Sequence, residues 1–189
     1  MTISCPMDEE ELRNLMYTAQ LEKNISPFSI RYPRGRGMFK DWKKPFQEIE
    51  IGKARMISEG DELAILTIGH PGIVVASVVN KLTQENMSIA HYDMRFVAPL
   101  DRNILHSIFK NFTHVITVED GVLKGGFGSA IIEFMCDNGY SSEVRRLGIP
   151  DYFVEHGTQE ELYRECGYDA EGIELAVREI MTRKDAVKG

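Results

Sequence analysis

The 189-residue sequence predicts an α/β fold, a three-layer domain around a mostly parallel five-stranded sheet, preceded by a separate α–β unit. Two observations support this prediction. From residue 51 onward, short apolar runs rich in β-branched residues alternate with segments of helical periodicity, and strands separated by helices pair in parallel. Between residues 33 and 50, proline, glycine and scattered charges interrupt this regularity, which favours a linker between two bodies, with one long loop as the alternative.

The first body is predicted to be one helix followed by one strand. Asp8, with Glu11 three positions later, is typical of a helix start whose side chains cap free backbone N–H groups. We expect the helix to end near Asn24 and the strand to cover Phe28–Tyr32. One helix and one strand bury too little apolar surface to be stable alone. This unit is therefore too small to stand by itself.

The second body, residues 51–189, follows a linker over residues 38–50, in which Trp42 is expected to pack against one of the bodies. It begins with two strands, Ile51–Ile57 and Leu63–Ile68, and the tight turn between them predicts an antiparallel pair at the sheet edge. The other predicted strands cover residues 87–92, 114–118 and 143–147, and the predicted helices cover residues 73–85, 101–110, 128–136, 158–165 and 169–182.

Composition and charge argue against several classes of function. The net charge of −7 argues against a general surface for nucleic acid or anionic membranes. No apolar segment approaches the roughly 18 residues that cross a bilayer, and the acidic first residues do not resemble a signal peptide. Cys5, Cys136 and Cys166 lack paired spacing, so we expect reduced thiols in a cytoplasmic protein, with Cys136 packed in the core.

The most informative motif is Arg31-Tyr32-Pro33-Arg34-Gly35, directly after the apolar part of the first predicted strand. Pro33 and Gly35 predict a turn at the strand end, and strand ends followed by such turns carry ligand sites in open α/β sheets. The planar guanidinium groups of Arg31 and Arg34 suit a phosphate or a carboxylate. The alternative is that both arginines are solvated or pair with nearby acids.

A second candidate for anion binding is the glycine-rich segment Lys124–Ser129, ahead of a predicted helix. Free N–H groups at a helix N-terminus can hold phosphate. The segment lacks both the Gly-Lys-Ser/Thr of a Walker loop and the third glycine of a dinucleotide fingerprint. A close approach of helix and strand explains its glycines equally well. The adjacent acids Glu119 and Asp120 could do acid–base work, but neighbours on a strand face opposite ways, which argues against a shared proton.

The remaining polar candidates are histidines and a group of charged residues. No two of the five histidines are three or four residues apart, which argues against a metal site on one helix face. His70 and His156 are in predicted turns and could reach a pocket. Asp101 is expected to cap a helix, and a structural ion pair is favoured over catalysis for Asp93 or Arg95.

Four segments that are weak individually occur together in an informative order. They are residues 28–35 (FSIRYPRG), 92–101 (YDMRFVAPLD), 117–121 with 125–129 (TVEDG and GGFGS) and 148–158 (GIPDYFVEHGT). In this order they closely resemble the C-terminal part of the 1-deoxy-D-xylulose-5-phosphate synthase family, over essentially the whole chain. Transketolases and the β subunits of 2-oxoacid dehydrogenases share the architecture, but they do not typically carry the arginine motif together with the last segment.

The resemblance implies an enzyme that condenses pyruvate with glyceraldehyde 3-phosphate and releases CO2, for isoprenoid, thiamine and pyridoxal phosphate synthesis. It implies thiamine diphosphate and Mg²⁺ as cofactors, three domains and a homodimer. Residues 1–37 would be the last helix and strand of the pyrimidine-binding domain, and residues 51–189 would be the third domain. Arg34 matches the arginine that helps to hold the substrate phosphate, whereas Arg31 and Tyr32 have no such match and are expected to be structural.

The same resemblance implies that this chain alone is catalytically inactive. In the family, the groups that hold and activate the cofactor belong to earlier domains, so no catalytic, cofactor-binding or metal-binding residue is expected here. The expected partners are those domains and a second copy of the enzyme. Two alternatives stay open: a stand-alone anion-binding or protein-interaction module, and the C-terminal part of a transketolase or a 2-oxoacid dehydrogenase. Ala98 stands where the family usually has lysine.

Overall fold

Two β-sheets of unequal size organise the chain. The computed structural model describes residues 1–35, 37 and 44–188, with side chains through residue 184, and the predicted packing of Trp42 lies outside the described residues. The strands are β1 (Thr2–Ser4), β2 (Phe28–Ile30), β3 (Arg55–Ser58), β4 (Leu63–Ile68), β5 (Ile89–Asp93), β6 (Phe96–Ala98), β7 (His114–Val122) and β8 (Glu143–Ile149). The helices are α1 (Glu9–Ala19), α2 (Pro71–Gln84), α3 (Arg102–Asn111), α4 (Phe127–Asp137), α5 (Gln159–Glu165) and α6 (Ala170–Lys188).

The larger sheet has the strand order β3-β5-β4-β7-β8 and is parallel except for β3. Its central strand β4 is buried at all six positions, because helices cover both faces of the sheet. Alternate residues of β4 contribute to two apolar clusters, one shared with α2 and α6 and the other shared with α3 and α4. The predicted three-layer α/β fold with a mostly parallel five-stranded sheet is therefore confirmed.

The antiparallel edge strand differs from the prediction in both position and partner. Strand β3 covers Arg55–Ser58 instead of Ile51–Ile57, and it pairs with β5 instead of β4. The predicted pairing is excluded because β5 and β7 occupy both edges of β4. The connection from β3 to β4 therefore crosses the start of β5. It does so at Gly60, where a Cβ would lie 2.3 Å from the backbone carbonyl carbon of Ile89.

The smaller sheet joins the N-terminal unit to the rest of the chain. Its order is β2-β1-β6, with β1 parallel to β2 and antiparallel to β6. Strands β1 and β6 have only three residues each and were not predicted from the sequence. Phe96 in β6 is fully buried and packs with Leu15 of α1 and with Ile49, a residue of the predicted linker. The backbone N–H of Ile49 also donates to the Thr18 hydroxyl at 2.9 Å.

The predicted helix starts agree with the structure to within two residues, and two predicted helix ends do not. Helix α6 continues to Lys188 instead of ending at residue 182, and α1 ends earlier than predicted. The Asp8 carboxylate accepts a hydrogen bond from the backbone N–H of Glu11 at 2.8 Å, and Asp101 caps α3 in the same way. Helix α1 ends at Ala19, several residues before Asn24. The Asn24 side-chain amide donates to the Thr18 carbonyl at 2.7 Å, so a capped turn takes the place of the predicted last helical turn.

The three thiols are unpaired and lie in different environments. Cys5 is buried, Cys166 is half-buried, and Cys136 is exposed. The predicted core position of Cys136 is wrong because α4 directs Ile131 and Phe134 toward the sheet, and a residue two positions after Phe134 faces the opposite side of the helix. Within the described ranges, no helix combines the length and the apolar composition that a bilayer crossing requires.

Candidate functional site

The carboxyl ends of β4 and β7 define the place where this sheet is expected to bind a ligand. The chain passes from β4 through α2 to β5 on one side, and it later enters β7 on the other side. Open α/β sheets bind ligands at such a switch point, outside the carboxyl ends of the strands. His70 lies two residues after the end of β4 at this edge, and Asp120 lies in the last part of β7.

The arginine motif lies beside this switch point. The backbone N–H of Arg31 donates to the Ser4 carbonyl at 2.8 Å, which extends the pairing of β2 with β1 by one residue. Beyond it, Arg31 and Arg34 line two adjacent cavities that share Pro33 and Asp120. Neither guanidinium group forms a hydrogen bond or an ion pair within the described part of the chain. Both are therefore available to an anionic ligand.

The two cavities differ in size. The cavity beside Arg31 has a volume of about 40 Å³ and is bounded by Gly69 and His70, which leaves room for about one water molecule. The cavity beside Arg34, which we call the Arg34 pocket, has a volume of about 380 Å³. Its other walls come from the end of β8 and from the segment of residues 154–168, which includes α5. It is lined among others by Asp120, Ile149, Gly157, Gln159, Leu162 and Tyr163.

Four polar side chains form a connected group at the edge of the Arg34 pocket. The Tyr163 hydroxyl contacts His70 Nε2, and the Tyr168 hydroxyl donates to Asp120 Oδ1 at 2.9 Å. The two tyrosine rings pack with their centroids 4.8 Å apart. His70 Nε2 also lies 3.8 Å from Asp120 Oδ2, at ion-pair rather than hydrogen-bond distance. The group thus links the ends of β4 and β7 to the segment that carries α5.

Burial sets the protonation states of this group. Burial lowers the pKa of His70, the nearby Asp120 carboxylate raises it, and Arg31 lowers it further. Burial also raises the pKa values of Tyr163 and Tyr168, and the charge of Asp120 adds to both shifts. At neutral pH the imidazole is therefore neutral and both phenols keep their protons. Tyr163 then donates to His70 Nε2, and the His70 ring proton is on Nδ1.

The glycine-rich segment does not offer an open anion site. The Glu119 carboxylate accepts hydrogen bonds from the backbone N–H groups of Phe127 and Gly128, both at 2.8 Å. These are first-turn N–H groups of α4, the same kind of donors that would otherwise bind a phosphate. The chain therefore fills this position with its own carboxylate. Glu119 and Asp120 also point to different partners, as their positions on one strand predicted.

Close packing explains the glycines of this segment. A Cβ at Gly126 would lie 2.2 Å from the Val122 carbonyl oxygen and 2.3 Å from a Glu119 carboxylate oxygen. A Cβ at Gly128 would lie 2.6 Å from the Thr117 hydroxyl oxygen. Only glycine allows α4 to start this close to β7. Of the two interpretations of the sequence, the structure supports the close approach of helix and strand.

The other charged candidates form a structural network between α1 and the larger sheet. Arg95 Nε donates to Glu11 at 2.7 Å, and Arg55 Nε donates to Asp93 at 3.1 Å. Arg55 also lies 3.3 Å from Glu11, so the two arginines and two acids are connected. Burial raises the pKa of Asp93, which has no exposed surface. Asp93 and Arg95 both form ion pairs, as predicted from the sequence.

Among the described residues, no histidine lines the Arg34 pocket, and His70 bounds the smaller cavity beside Arg31. His156 is exposed on the loop whose neighbours Val154 and Gly157 contribute to the pocket wall. His91 is fully buried in β5, where its Nε2 lies 2.9 Å from the Thr67 hydroxyl oxygen. No group of three or more potential metal ligands occurs among residues 1–35, 37 and 44–188.

Comparison with known proteins places this geometry in a family. The sequence model described as "Transketolase, C-terminal domain" matches residues 52–173, well over half of the chain. The chain belongs to this family. The matched residues include all five strands of the larger sheet, and also His70, Asp120, Tyr163 and Tyr168, whereas the arginine motif precedes them.

Several proteins similar to this chain match almost its whole length. Proteins named 1-deoxy-D-xylulose-5-phosphate synthase from Cytophaga hutchinsonii and Bacteroides fragilis are 58% and 51% identical over 95% and 98% of the chain. The chain spans about 28% of the length of the first of these relatives and matches their C-terminal part. A solved structure described as "Split gene transketolase, inactive beta4 tetramer" covers 96% of this chain and 57% of its own, with 26% identity and a TM-score of 0.80.

The candidates Arg34, Asp120 and His70 were predicted from the sequence, whereas Tyr163 and Tyr168 were not. Tyr163 and Tyr168 lie about 90 residues after His70 in the chain, so no local spacing connects them. One feature of the sequence could have indicated these tyrosines, because both follow the Gly-Ile-Pro-Asp segment that carries the family resemblance. The fold is what brings them to the same sheet edge.

Proposed function

We propose that the intact protein containing this chain condenses pyruvate with glyceraldehyde 3-phosphate and releases CO2, and that Arg34 holds the substrate phosphate. The identity of 58% to a named synthase over 95% of the chain supports the reaction. The geometry of Arg34 is the single observation that carries its assignment: an exposed guanidinium group beside a pocket, without a partner in the described part of the chain.

The Arg34 pocket has the chemistry for a small phosphorylated substrate. A guanidinium group binds two phosphate oxygens through parallel N–H donors and stays charged at all physiological pH values. Gln159 provides an uncharged hydrogen-bonding group in the same pocket, and Ile149 and Leu162 provide apolar wall. Asp120 is the one carboxylate on the wall among the described residues, and it already accepts a hydrogen bond from the Tyr168 hydroxyl. The pocket therefore offers the phosphate one cation and positions for the neutral part of the substrate.

We assign thiamine diphosphate and Mg²⁺ to the parts of the longer enzyme outside this chain. The N–H groups at the start of α4, which could bind a diphosphate, are bonded to Glu119. The residues of the described ranges also do not group into a metal-binding donor set. These residues do not fit the cofactor. The cofactor supplies the carbanion chemistry in such enzymes.

The domain arrangement of the synthase family also forms part of the proposal. Residues 1–37 would end the pyrimidine-binding domain, residues 38–50 would be the linker, and residues 51–189 would form the third domain. In support, the outer face of α1 carries exposed Met16 and Tyr17 next to Phe46, along an open groove of about 940 Å³. An exposed apolar surface of this kind fits contact with a preceding domain. We further propose that the intact enzyme is a homodimer and that it is cytoplasmic. The three unpaired thiols support the second of these proposals, because free thiols are typical of a reducing compartment.

Steady-state kinetics of the intact enzyme test the role of Arg34. Arg34→Ala should raise the KM for glyceraldehyde 3-phosphate about 100-fold, because a charge-assisted contact with the phosphate is lost, and should leave the KM for pyruvate nearly unchanged. Arg34→Lys keeps the charge without the planar fork and should have an intermediate effect. Arg164→Ala, on the exposed side of α5, is the matched control. An unchanged KM for glyceraldehyde 3-phosphate in Arg34→Ala would remove this arginine from the substrate site.

Calorimetric titration of this chain with thiamine diphosphate and Mg²⁺ tests the placement of the cofactor. We expect no binding from a chain that is folded by circular dichroism. The N–H groups at the start of α4, which could hold a diphosphate, are already bonded to Glu119. Binding at micromolar concentrations would contradict the proposal and would favour the chain as a functional unit of its own.

A further inference from the structure

Helix α5 forms one wall of the Arg34 pocket and is weakly anchored. It supplies Gln159, Leu162 and Tyr163 to the pocket, yet none of its seven residues is fully buried. Its start is stabilised locally by a capping box between Thr158 and Glu161, which fixes the helix but not its position on the sheet. The position of this wall must therefore come from a small number of contacts with the sheet edge.

The contact between Tyr163 and His70 is the direct polar connection from α5 to the switch point. The Tyr163 hydroxyl reaches His70 Nε2, and the two rings lie with centroids 5.6 Å apart. His70 is itself held by its place between β4 and α2, where the following Pro71 starts the helix. A second contact, from Tyr168 to Asp120, holds the chain just after α5. Tyr163 is therefore fixed from a rigid strand end, and its helix is fixed with it.

The hydrogen bond depends on a specific arrangement of protons. It needs a protonated phenol and a neutral imidazole with a free Nε2, which is the state that burial favours for both groups. Asp120, Arg31 and Tyr168 are the other charged or titratable groups around this pair. A phenylalanine at position 163 would keep the ring packing and lose only the hydroxyl. The contribution of the hydrogen bond can thus be separated from that of the ring.

We propose that His70 and Tyr163 are positioning residues for the Arg34 pocket. Their hydrogen bond holds α5 at the distance from Arg34 that lets the pocket wall contact a bound three-carbon phosphate. This inference rests on the proposed role of Arg34, and it adds two residues that do not themselves bind the phosphate. The expected substrate class is a short phosphorylated aldehyde, whose neutral end would face the α5 wall.

The test compares two tyrosine variants of the intact enzyme by steady-state kinetics. Tyr163→Phe should raise the KM for glyceraldehyde 3-phosphate about fivefold and change kcat and the KM for pyruvate much less, because only the fit of the pocket is altered. Tyr140→Phe is the matched control, since the Tyr140 hydroxyl bonds His106 Nδ1 at 2.9 Å on the other face of the sheet. It removes a comparable tyrosine–histidine hydrogen bond away from the pocket, and we expect it to leave all three constants unchanged.

Two variants of His70 provide a rescue test. His70→Gln retains a hydrogen-bond acceptor near the Tyr163 hydroxyl and should restore most of the affinity that His70→Ala loses. Equal KM values for both variants, or equal effects of Tyr163→Phe and Tyr140→Phe, would overturn the positioning role. The result with Arg34→Ala separates the two proposals. If Arg34→Ala raises the KM and Tyr163→Phe does not, only the positioning role fails, whereas no effect of Arg34→Ala removes the substrate site itself.

Discussion

The glycine-rich segment after β7 and the arginine motif after β2 both carry groups that bind anions, and they differ in what satisfies those groups. At the start of α4, the N–H groups of Phe127 and Gly128 are bonded to the buried carboxylate of Glu119. Beside the Arg34 pocket, Arg34 is exposed and has no partner in the described part of the chain. One region thus contributes to stability and the other is available to a ligand.

This difference shows why a motif alone does not identify a site. Both segments follow strands, contain glycine and present donors, so their local sequences suggest the same chemistry. What separates them is whether the fold supplies an internal anion. Glu119 reaches α4 because it lies on β7 directly beneath the start of that helix. The carboxylate on the wall of the Arg34 pocket, Asp120, is instead bonded to Tyr168.

The largest expected effect is the loss of stability on removing the internal anion. Glu119→Ala should lower the free energy of unfolding by about 4 kcal/mol, because two buried N–H groups lose a charged acceptor. Urea unfolding of the chain measures this change, with Glu133→Ala on the exposed face of α4 as the control. Phosphate in the buffer should restore part of the loss by replacing the carboxylate. Equal stability of the two variants would show that the comparison between the two regions is mistaken.

A buried histidine, with only one of its two ring nitrogens hydrogen-bonded among the described residues, extends the comparison to protonation. His91 is bonded through Nε2 to Thr67, and its Nδ1 has no partner in the described structure. Burial, with the charge of Arg55 adding to it, lowers the pKa of His91 to about 4. The pKa of His91 is lower in the folded chain than in the unfolded chain. Between these two pKa values, His91 therefore binds a proton in the unfolded chain and not in the folded chain. Stability should therefore fall as the pH decreases from about 6.5 to about 4, by about 3 kcal/mol.

The contribution of His91 is measured against a variant that does not titrate. Urea unfolding of the wild-type chain and of His91→Gln across this pH range should give curves that diverge toward acid pH, with the wild type losing more stability. Asp93, whose pKa burial raises, acts in the opposite direction but is common to both proteins. Parallel curves for the two proteins would mean that His91 is accessible to protons in the folded state.

A smaller effect tests the close approach of α4 and β7. Gly126→Ala should cost about 2 kcal/mol, because the new Cβ would overlap the Val122 carbonyl oxygen and the Glu119 carboxylate. Gly35→Ala in the arginine motif is the matched control, since a Cβ there would meet no atom of the described residues within 4 Å. We expect no loss of stability from it. Thermal or urea unfolding distinguishes the two, and similar losses would contradict the packing argument.

The smallest expected effect on stability belongs to the residue proposed for substrate binding. Arg34→Ala should change the free energy of unfolding by less than about 0.5 kcal/mol, as is usual for exposed side chains without partners. Arg55→Ala provides the contrast, because it removes the contacts of this arginine with the buried side chains of Asp93 and Glu11, and it should cost about 3 kcal/mol. A large loss in Arg34→Ala, measured by urea unfolding, would mean that this arginine is structural.

Features that depend on neighbouring residues were predicted well. The caps of α1 and α3 by Asp8 and Asp101 involve residues three positions apart, so the sequence alone contains the whole interaction. The layered α/β fold follows from the alternation of short apolar strand segments with segments of helical periodicity. The partner of β3 was predicted incorrectly, because strand order depends on which edges are free once β5 and β7 have paired with β4. The exposed position of Cys136 was missed because it depends on how α4 is rotated against the sheet.

By itself, the sequence determined the three-layer fold, the helix starts and the family to which the chain belongs, since these follow from local periodicity, capping and ordered motifs. The tertiary structure alone decided which anion-binding groups are satisfied internally and which are available. It placed Glu119 under α4, and it brought His70 next to Tyr163 from the other end of the domain. The physical reason is that a hydrogen bond between distant residues depends on their positions in space, which no local pattern in the chain specifies.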